Sequence, residues 1–263
     1  MKNESKTLYI PLYGKACVSR KGIILNDPDA ERIWQAEGFP LRGKAKSKWL
    51  AYYMGMRSAV FDRWAAEKMQ QNPGAPVLHI GCGMDSRCNR LAHVRQDRLW
   101  YDIDFPDVIA ERGKYYSESE RYRMLPGDAS HPEWLRQLPE ADGAIVIMEG
   151  ISMYLAPDAL RALLSALRSR YAKLHLLMDC YTEFGAKASQ YKNPINTVGV
   201  SRTYGMEKPR QLAEECGLRY LGEMPMAPQD MIDQLRGGER FFFRKVFAGG
   251  FAGKIYKLYA FEA

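Results

Sequence analysis

From Pro76 onward, short apolar runs alternate with stretches of helical periodicity. The runs Val77–Ile80, Leu99–Ile103, Tyr122–Leu125, Ala144–Met148 and Leu174–Met178 have the length of strands rather than helices. Two more, Arg219–Met224 and Ile255–Phe261, follow near the C-terminus. Between them, Leu160, Leu163, Leu164, Leu167 and Tyr171 recur at helical spacing after Pro157. Pro209–Cys216 reads as a short helix entered at proline and closed by Gly217. Strands alternating with helices require a mostly parallel sheet covered on both faces. No clear helical pattern separates the last two strands, which predicts an antiparallel edge. The expected fold is α/β: a doubly wound, mostly parallel, seven-stranded sheet.

The first seventy-odd residues have a different pattern and read as helical. Asn26-Asp27-Pro28 offers a cap followed by proline at the first helical position, and Gly38 can end that helix. A second helix is predicted from Trp49 to Gln70, carrying Val60, Phe61, Trp64 and Met69, with Asn72-Pro73-Gly74 as its stop. Residues 1–74 are therefore expected to form an N-terminal helical cap that contributes to the pocket. Residues 75–263 are expected to form the cofactor-binding core.

Composition narrows the class. At 263 residues, with 46% apolar and 26% charged side chains, the chain can bury a sizeable core unaided. The net charge of +7 is modest for this length; it allows an anionic substrate without indicating nucleic acid. The longest apolar run, Gly143 to Met148, ends at Glu149, far short of a membrane span. The opening MKNESKTLYIPLYG lacks the pattern of a secretory signal. The five cysteines contain no CxxC pair, which argues against a zinc site or a disulfide framework. The expectation is a cytoplasmic protein with no metal, nucleic-acid or membrane partner.

The most informative segment is Val77-Leu78-His79-Ile80-Gly81-Cys82-Gly83-Met84-Asp85-Ser86-Arg87. An apolar strand runs into Gly-x-Gly, where the backbone can pass close to a ligand at the strand's carboxyl end. A second strand ends in Asp102-Ile103-Asp104. Asp104 lies 21 residues after Gly83, near the spacing at which a carboxylate meets a ribose diol. Together these indicate an adenosine-containing cofactor. A dinucleotide fingerprint wants a third glycine at position 86, yet Asp85-Ser86 stands there. A carboxylate beside that turn repels a pyrophosphate and tolerates a cationic sulfonium. No phosphate-binding Gly-x-x-x-x-Gly-Lys-Ser/Thr loop occurs. S-adenosylmethionine is favoured over NAD.

HIGCGMDSRCNRL resembles the first motif of the leucine carboxyl methyltransferase family, which includes the tetracenomycin-type polyketide O-methyltransferases. The matches are Gly81, Gly83, Asp85, Arg87, Arg90 and Leu91, with Ser86 replacing the usual threonine. YDIDFPDVIAERGKYY is similar to the family's second segment, and IMEGISMYLAPDALRALL to its Glu-Gly-x-x-x-Tyr-Leu segment. ILNDPDA resembles its Asp-Pro element, and Arg57 to Asp62 its Arg-to-Asp helix. The resemblance implies a Rossmann-like class I methyltransferase fold that binds S-adenosylmethionine and releases S-adenosylhomocysteine. It implies that Gly81, Cys82 and Gly83 approach the methionine part and that Asp104 holds the ribose hydroxyls. Asp128 and Ala129 then lie near the adenine, and Glu149 with Gly150 near the cofactor's amino group. Arg57 is expected at the cofactor's carboxylate, with Lys15 or Arg20 as a second cation.

The acceptor is less legible. A carboxylic acid is ionised at neutral pH, whereas a phenol, with pKa about 10, wants a base or cation beside it. No His-Asp pair stands out in the expected lining. The family's habit therefore points to a carboxylate (or phenol) oxygen of a small, anionic molecule such as a polyketide-like metabolite, with a protein's C-terminal leucine carboxylate as the alternative. A non-catalytic adenosine-binding protein is the rival of a different class. Tyr154 is expected to line the active site, and Arg202, in the segment Gly199–Met206, to meet the acceptor. His79 reads as a core residue and Asp102 as a bystander to Asp104. Asp85 and Arg87 read equally well as site residues and as a cap with an ion pair at the helix start.

Overall fold

The computed structural model describes residues 8–39, 41, 43–189, 202–250 and 252–263. Three helices come first: α1 (Tyr9–Arg20), α2 (Pro28–Glu37) and α3 (Lys48–Gln71). Asp27 caps α2 by accepting the Ala30 amide at 2.9 Å, with Pro28 at the first position and Gly38 left-handed at the end. Ser47 caps α3.

The strands are β1 (Val77–Ile80), β2 (Trp100–Asp104), β3 (Tyr122–Pro126), β4 (Gly143–Met148), β5 (Lys173–Tyr181), β6 (Arg219–Glu223) and β7 (Tyr256–Glu262). Their order across the sheet is β3-β2-β1-β4-β5-β7-β6. The first five pair in parallel, and β7 runs antiparallel between β5 and β6. The intervening helices are α4 (Arg87–Arg90), α5 (Ala92–Arg95), α6 (Pro106–Arg112), α7 (Pro157–Arg170), α8 (Glu183–Ser189), α9 (Pro209–Glu215), α10 (Gln229–Ile232) and α11 (Gly237–Val246).

Both faces of the sheet are buried, and alternation along β4 shows it. Ile145 and Ile147 join the core shared with α1, α2, α3 and Phe243 of α11. Ala144, Val146 and Met148 join the core under α7 and α9. A strand buried on both sides reads as a continuous apolar run, which is why β4 stood out in the sequence. Helices α10 and α11 fill the connection for which the sequence offered no helical pattern. In α11 Phe242, Phe243 and Val246 share one helical face, on which Phe243 is buried, while Phe241 lies off it and is exposed.

The strand order reverses between β1 and β4. In open α/β sheets ligands bind at such a switch point, beyond the carboxyl ends of the strands.

Candidate active site

A cavity of about 580 Å³ opens at that switch point. Its wall is drawn from the ends of β1, β2 and β4, the turn after β3, and α1 and α3. Helices α1 and α3 thus contribute to the pocket, and α2 does not line it.

The turn after β1 is built from glycine with left-handed backbone, φ +72° at Gly81 and +51° at Gly83. A Cβ on Gly81 would lie 2.6 Å from Ile151, so the position excludes side chains for two reasons. The amides of Gly81 and Cys82 both donate to the Ile103 carbonyl, tying the turn to β2. The Gly83 amide donates to Asp104 Oδ2 at 2.7 Å, and the Phe105 amide to Asp104 Oδ1 at 2.7 Å. Each carboxylate oxygen therefore keeps capacity for a second donor. Burial pushes the Asp104 carboxyl up to about 6, against the pull of those amides and Arg112. Burial likewise raises the Cys82 thiol, which stays protonated.

Glu149, at the end of β4, is buried and accepts from Arg57 Nε at 3.0 Å and from Arg87. Burial alone would raise its carboxyl, but Arg87 and Arg57 outweigh that and hold it at about 2. Lys15, buried in α1, bonds Asp85. Burial opposes ionisation of Asp85, yet Arg87, Arg90 and Lys15 keep it well below the usual carboxylate range. Lys15, Arg57, Asp85 and Glu149 all line the cavity. Of the two N-terminal cations considered, Lys15 reaches the site. Arg20 is exposed and lies 3.9 Å from Glu31.

Asp85 and Arg87 belong to a buried ion network behind this wall. Asp85 accepts the Arg87 amide at 2.7 Å. Arg87 also bonds Asp62, Ser58 and His79, and Arg90 bonds Asp27 and Asp62. Asp102 is fully buried and bonds Trp100, Tyr122 and Arg112. Ring atom Nδ1 of His79 lies 3.2 Å from Asp102, and burial lowers the imidazole pKa, keeping it neutral.

Past β3, Asp128 and Ala129 line the cavity; Asp128 Oδ1 accepts the Ser130 amide at 2.8 Å. His131 is exposed, 3.4 Å from Asp128, and is not among the lining residues. Gly150 (φ +73°) and Tyr154 line the cavity beside Glu149. Arg202 requires a correction: its side chain is exposed, 5.0 Å over the Tyr204 ring, and it does not line the cavity. The chain there pairs with the end of β5 and with Met153 through backbone bonds, which places Arg202 on the outside of the segment. Residues 199–201 of that segment lie outside the described residues.

Sequence reasoning missed an aromatic wall. Tyr53, Tyr181, Tyr256 and Phe247 line the cavity with Leu50 and Ile255. The Tyr256 ring lies 5.1 Å from Tyr181 and 6.4 Å from Tyr53. One signal was available, since Tyr53 sits four residues before Arg57 and so on the same helical face. Among the described residues no metal-binding group of acids, histidines or cysteines is present, and no helix is long and apolar enough to cross a membrane.

The donor set suits a cofactor that carries both an adenosine and an amino acid. It has a half-buried acid beside a glycine turn, and a carboxylate with two cations at one end of the same cavity. The sheet order with its antiparallel β7 is that of the class I methyltransferases. Solved structures agree on the fold. A DUF574 family protein from Streptomyces avermitilis superposes with a TM-score of 0.57 at 12% identity, covering 89% of this chain and 88% of that one. Magnesium protoporphyrin IX methyltransferase from Synechocystis with bound SAH gives 0.51 at 13% identity, covering 88% and 92%. Residues 12–168 match the leucine carboxyl methyltransferase family, and the chain belongs to it. Among curated relatives, the tetracenomycin polyketide synthesis O-methyltransferase TcmP of Streptomyces glaucescens is 28% identical over 70% of this chain and 68% of its own length. The S-adenosyl-L-methionine-dependent methyltransferase dpfgK of Gibberella zeae is 29% identical over 69% of this chain and 65% of its own. The chain thus matches about two thirds of each relative's length.

Proposed function

We propose that this protein is an S-adenosylmethionine-dependent O-methyltransferase that methylates a carboxylate oxygen of a small, polyketide-like acceptor. The observation that carries the reading is one cavity holding Asp104 tied to the Gly83 amide, together with Glu149, Arg57 and Lys15. The names of the two curated relatives support methyl transfer, and that of TcmP its transfer to oxygen.

When bound, S-adenosylmethionine supplies an electrophilic methyl group on a sulfonium. The protein's contribution is to bind, align and keep water out. Asp104 accepts from the ribose hydroxyls, and Asp128 and Ala129 border the adenine. Arg57 and Lys15 meet the cofactor's carboxylate, and Glu149 its ammonium. Such charge-assisted bonds are each worth roughly 1.5–3 kcal/mol. Gly81, Cys82, Gly83 and Gly150 let the backbone approach, and Tyr154 lines the path between cofactor and acceptor.

The acceptor's body is held by the aromatic wall of Tyr53, Tyr181 and Tyr256. A carboxylate oxygen is the reading favoured by the state of the histidine in the lining. The histidine there, His79, is held by Arg87 at 3.0 Å, so it is not aimed at an acceptor. A carboxylate needs no base, whereas a phenol wants a base or a cation beside it.

Calorimetric titration with S-adenosylmethionine, S-adenosylhomocysteine and NAD tests the cofactor. Micromolar binding of the first two and none of NAD is expected; the reverse pattern rejects the reading. A radiolabelled-methyl assay on paired aromatic carboxylate and phenol acceptors then tests the oxygen. Methylation confined to phenols rejects the carboxylate assignment.

A further inference from the structure

We propose that Asp179 is a positioning residue of this site, setting Arg57, the Gly150 turn and Tyr256 in one arrangement. It thereby joins the end of the cavity that takes the cofactor's amino-acid group to the aromatic wall. The inference rests on the cofactor reading given above.

Asp179 is fully buried within β5, between Met178 and Cys180, and does not itself line the cavity. An acid inside an apolar strand is costly unless its oxygens are satisfied. Here Oδ1 accepts the Gly150 amide at 2.6 Å, and Oδ2 accepts the Tyr256 hydroxyl at 2.5 Å and Arg57 Nη1 at 3.0 Å. These donors come from the turn after β4, from the start of β7 and from α3. Arg57 Nη1 also donates to the Tyr256 hydroxyl at 2.8 Å, which closes a triangle of three buried groups.

The consequence is directional. Glu149 holds Arg57 Nε and Asp179 holds Nη1, so the plane of the guanidinium is fixed from two sides. Nη2 makes no hydrogen bond among the described residues and remains for a carboxylate in the cavity, which Arg57 lines. The same acid draws the Gly150 amide inward, with the Arg57 guanidinium 3.4 Å from where a Cβ on Gly150 would stand. Tyr256 carries the arrangement to Tyr181 and Tyr53 through ring contacts. An apolar residue would fill β5 as Leu177 does; the acid adds orientation.

The test is calorimetric titration of S-adenosylhomocysteine into the wild type, Asp179→Asn, Arg57→Gln and the double variant, with thermal melts alongside. Asp179→Asn is expected to weaken binding about tenfold, the usual scale for residues that orient a ligand-binding group. In the Arg57→Gln background the further loss should be under about twofold, because Asp179 acts through Arg57. Unchanged affinity in a folded Asp179→Asn protein overturns the proposal, as do losses that multiply. Wild type that fails to bind rejects the cofactor reading and this proposal with it. Should Asp179→Asn not fold, Tyr256→Phe keeps the ring and removes one corner of the triangle. It is expected to weaken binding about threefold, again only when Arg57 is present; no effect counts against the proposal.

Discussion

The amide of Gly83 donates to Asp104 Oδ2 at 2.7 Å, so the turn after β1 and the end of β2 share one carboxylate. Burial has raised that carboxyl to about 6. Ionised Asp104 is the form that accepts from hydroxyls, so cofactor affinity should fall as pH drops below about 6. At pH 5 the expected loss is about tenfold. Fold stability has the opposite sign. A raised carboxyl pKa favours the folded state at low pH, and that contribution is lost as pH rises through 6. Titrating S-adenosylhomocysteine from pH 5 to 8 checks this, with Asp104→Asn expected to flatten the profile. A flat wild-type profile would remove the ribose assignment. Asp104→Ala should cost tenfold or more at pH 7.

Glu149 carries a structural load as well as the expected ligand contact. Glu149→Gln leaves two buried guanidiniums short of a partner and should lower stability by about 3 kcal/mol in urea unfolding. Its folded carboxyl sits near 2, below the ordinary 4.5. The stabilisation is therefore complete above about 4.5 and lost as pH falls toward 2. The variant should show a weaker acid dependence than the wild type. Equal stability of the two proteins at pH 7 would contradict the assignment.

Gly81→Ala meets both a left-handed backbone and the Ile151 side chain, at 2.6 Å and 2.9 Å. A destabilisation of about 2 kcal/mol or more is expected, with loss of cofactor binding in what remains folded. Chemical unfolding and calorimetry measure the two effects separately. Wild-type values in both would mean that the turn tolerates a side chain.

The acceptor wall and Arg202 make opposite forecasts. Tyr53→Ala removes a lining ring and should raise the acceptor KM at least tenfold while leaving the cofactor Kd within about twofold. Arg202→Ala removes an exposed side chain and should change neither by more than about twofold. Steady-state kinetics on the best acceptor from the screen decides. A large effect confined to Arg202→Ala would put the acceptor on the outer segment instead.

Much of the fold was legible because the signals were local. Each strand from β1 to β5 is an apolar run that differs from its expected bounds by at most three residues at an end. Pro28, Gly38, Pro157 and Gly217 punctuate the helices where their fixed or left-handed backbones belong. Helix α11 escaped notice because it is short and opens on Gly237-Gly238, poor helix formers, although Phe242, Phe243 and Val246 share one face. Asp179 escaped for a related reason. It interrupts an apolar strand, a recognisable anomaly, but its partners lie 29, 77 and 122 residues away.

The sequence by itself determined the strands, several helices, the class of sheet and the glycine turn with its acid, since backbone conformation and hydrophobic period are written residue by residue. Arg57 and Glu149 were singled out by the resemblance of their segments to the family's motifs, not by pattern or spacing. Only the tertiary structure decided which charges meet. Lys15 rather than Arg20 reaches the cavity because α1 packs on α3 with Lys15 buried and Arg20 outside. Arg87 became the hub of a buried network, and Asp102 turned to Arg112 and Tyr122 rather than to the cavity. A charge inside a protein is placed by whichever distant partner offsets its desolvation, and that partner is set by packing, not by neighbours along the chain.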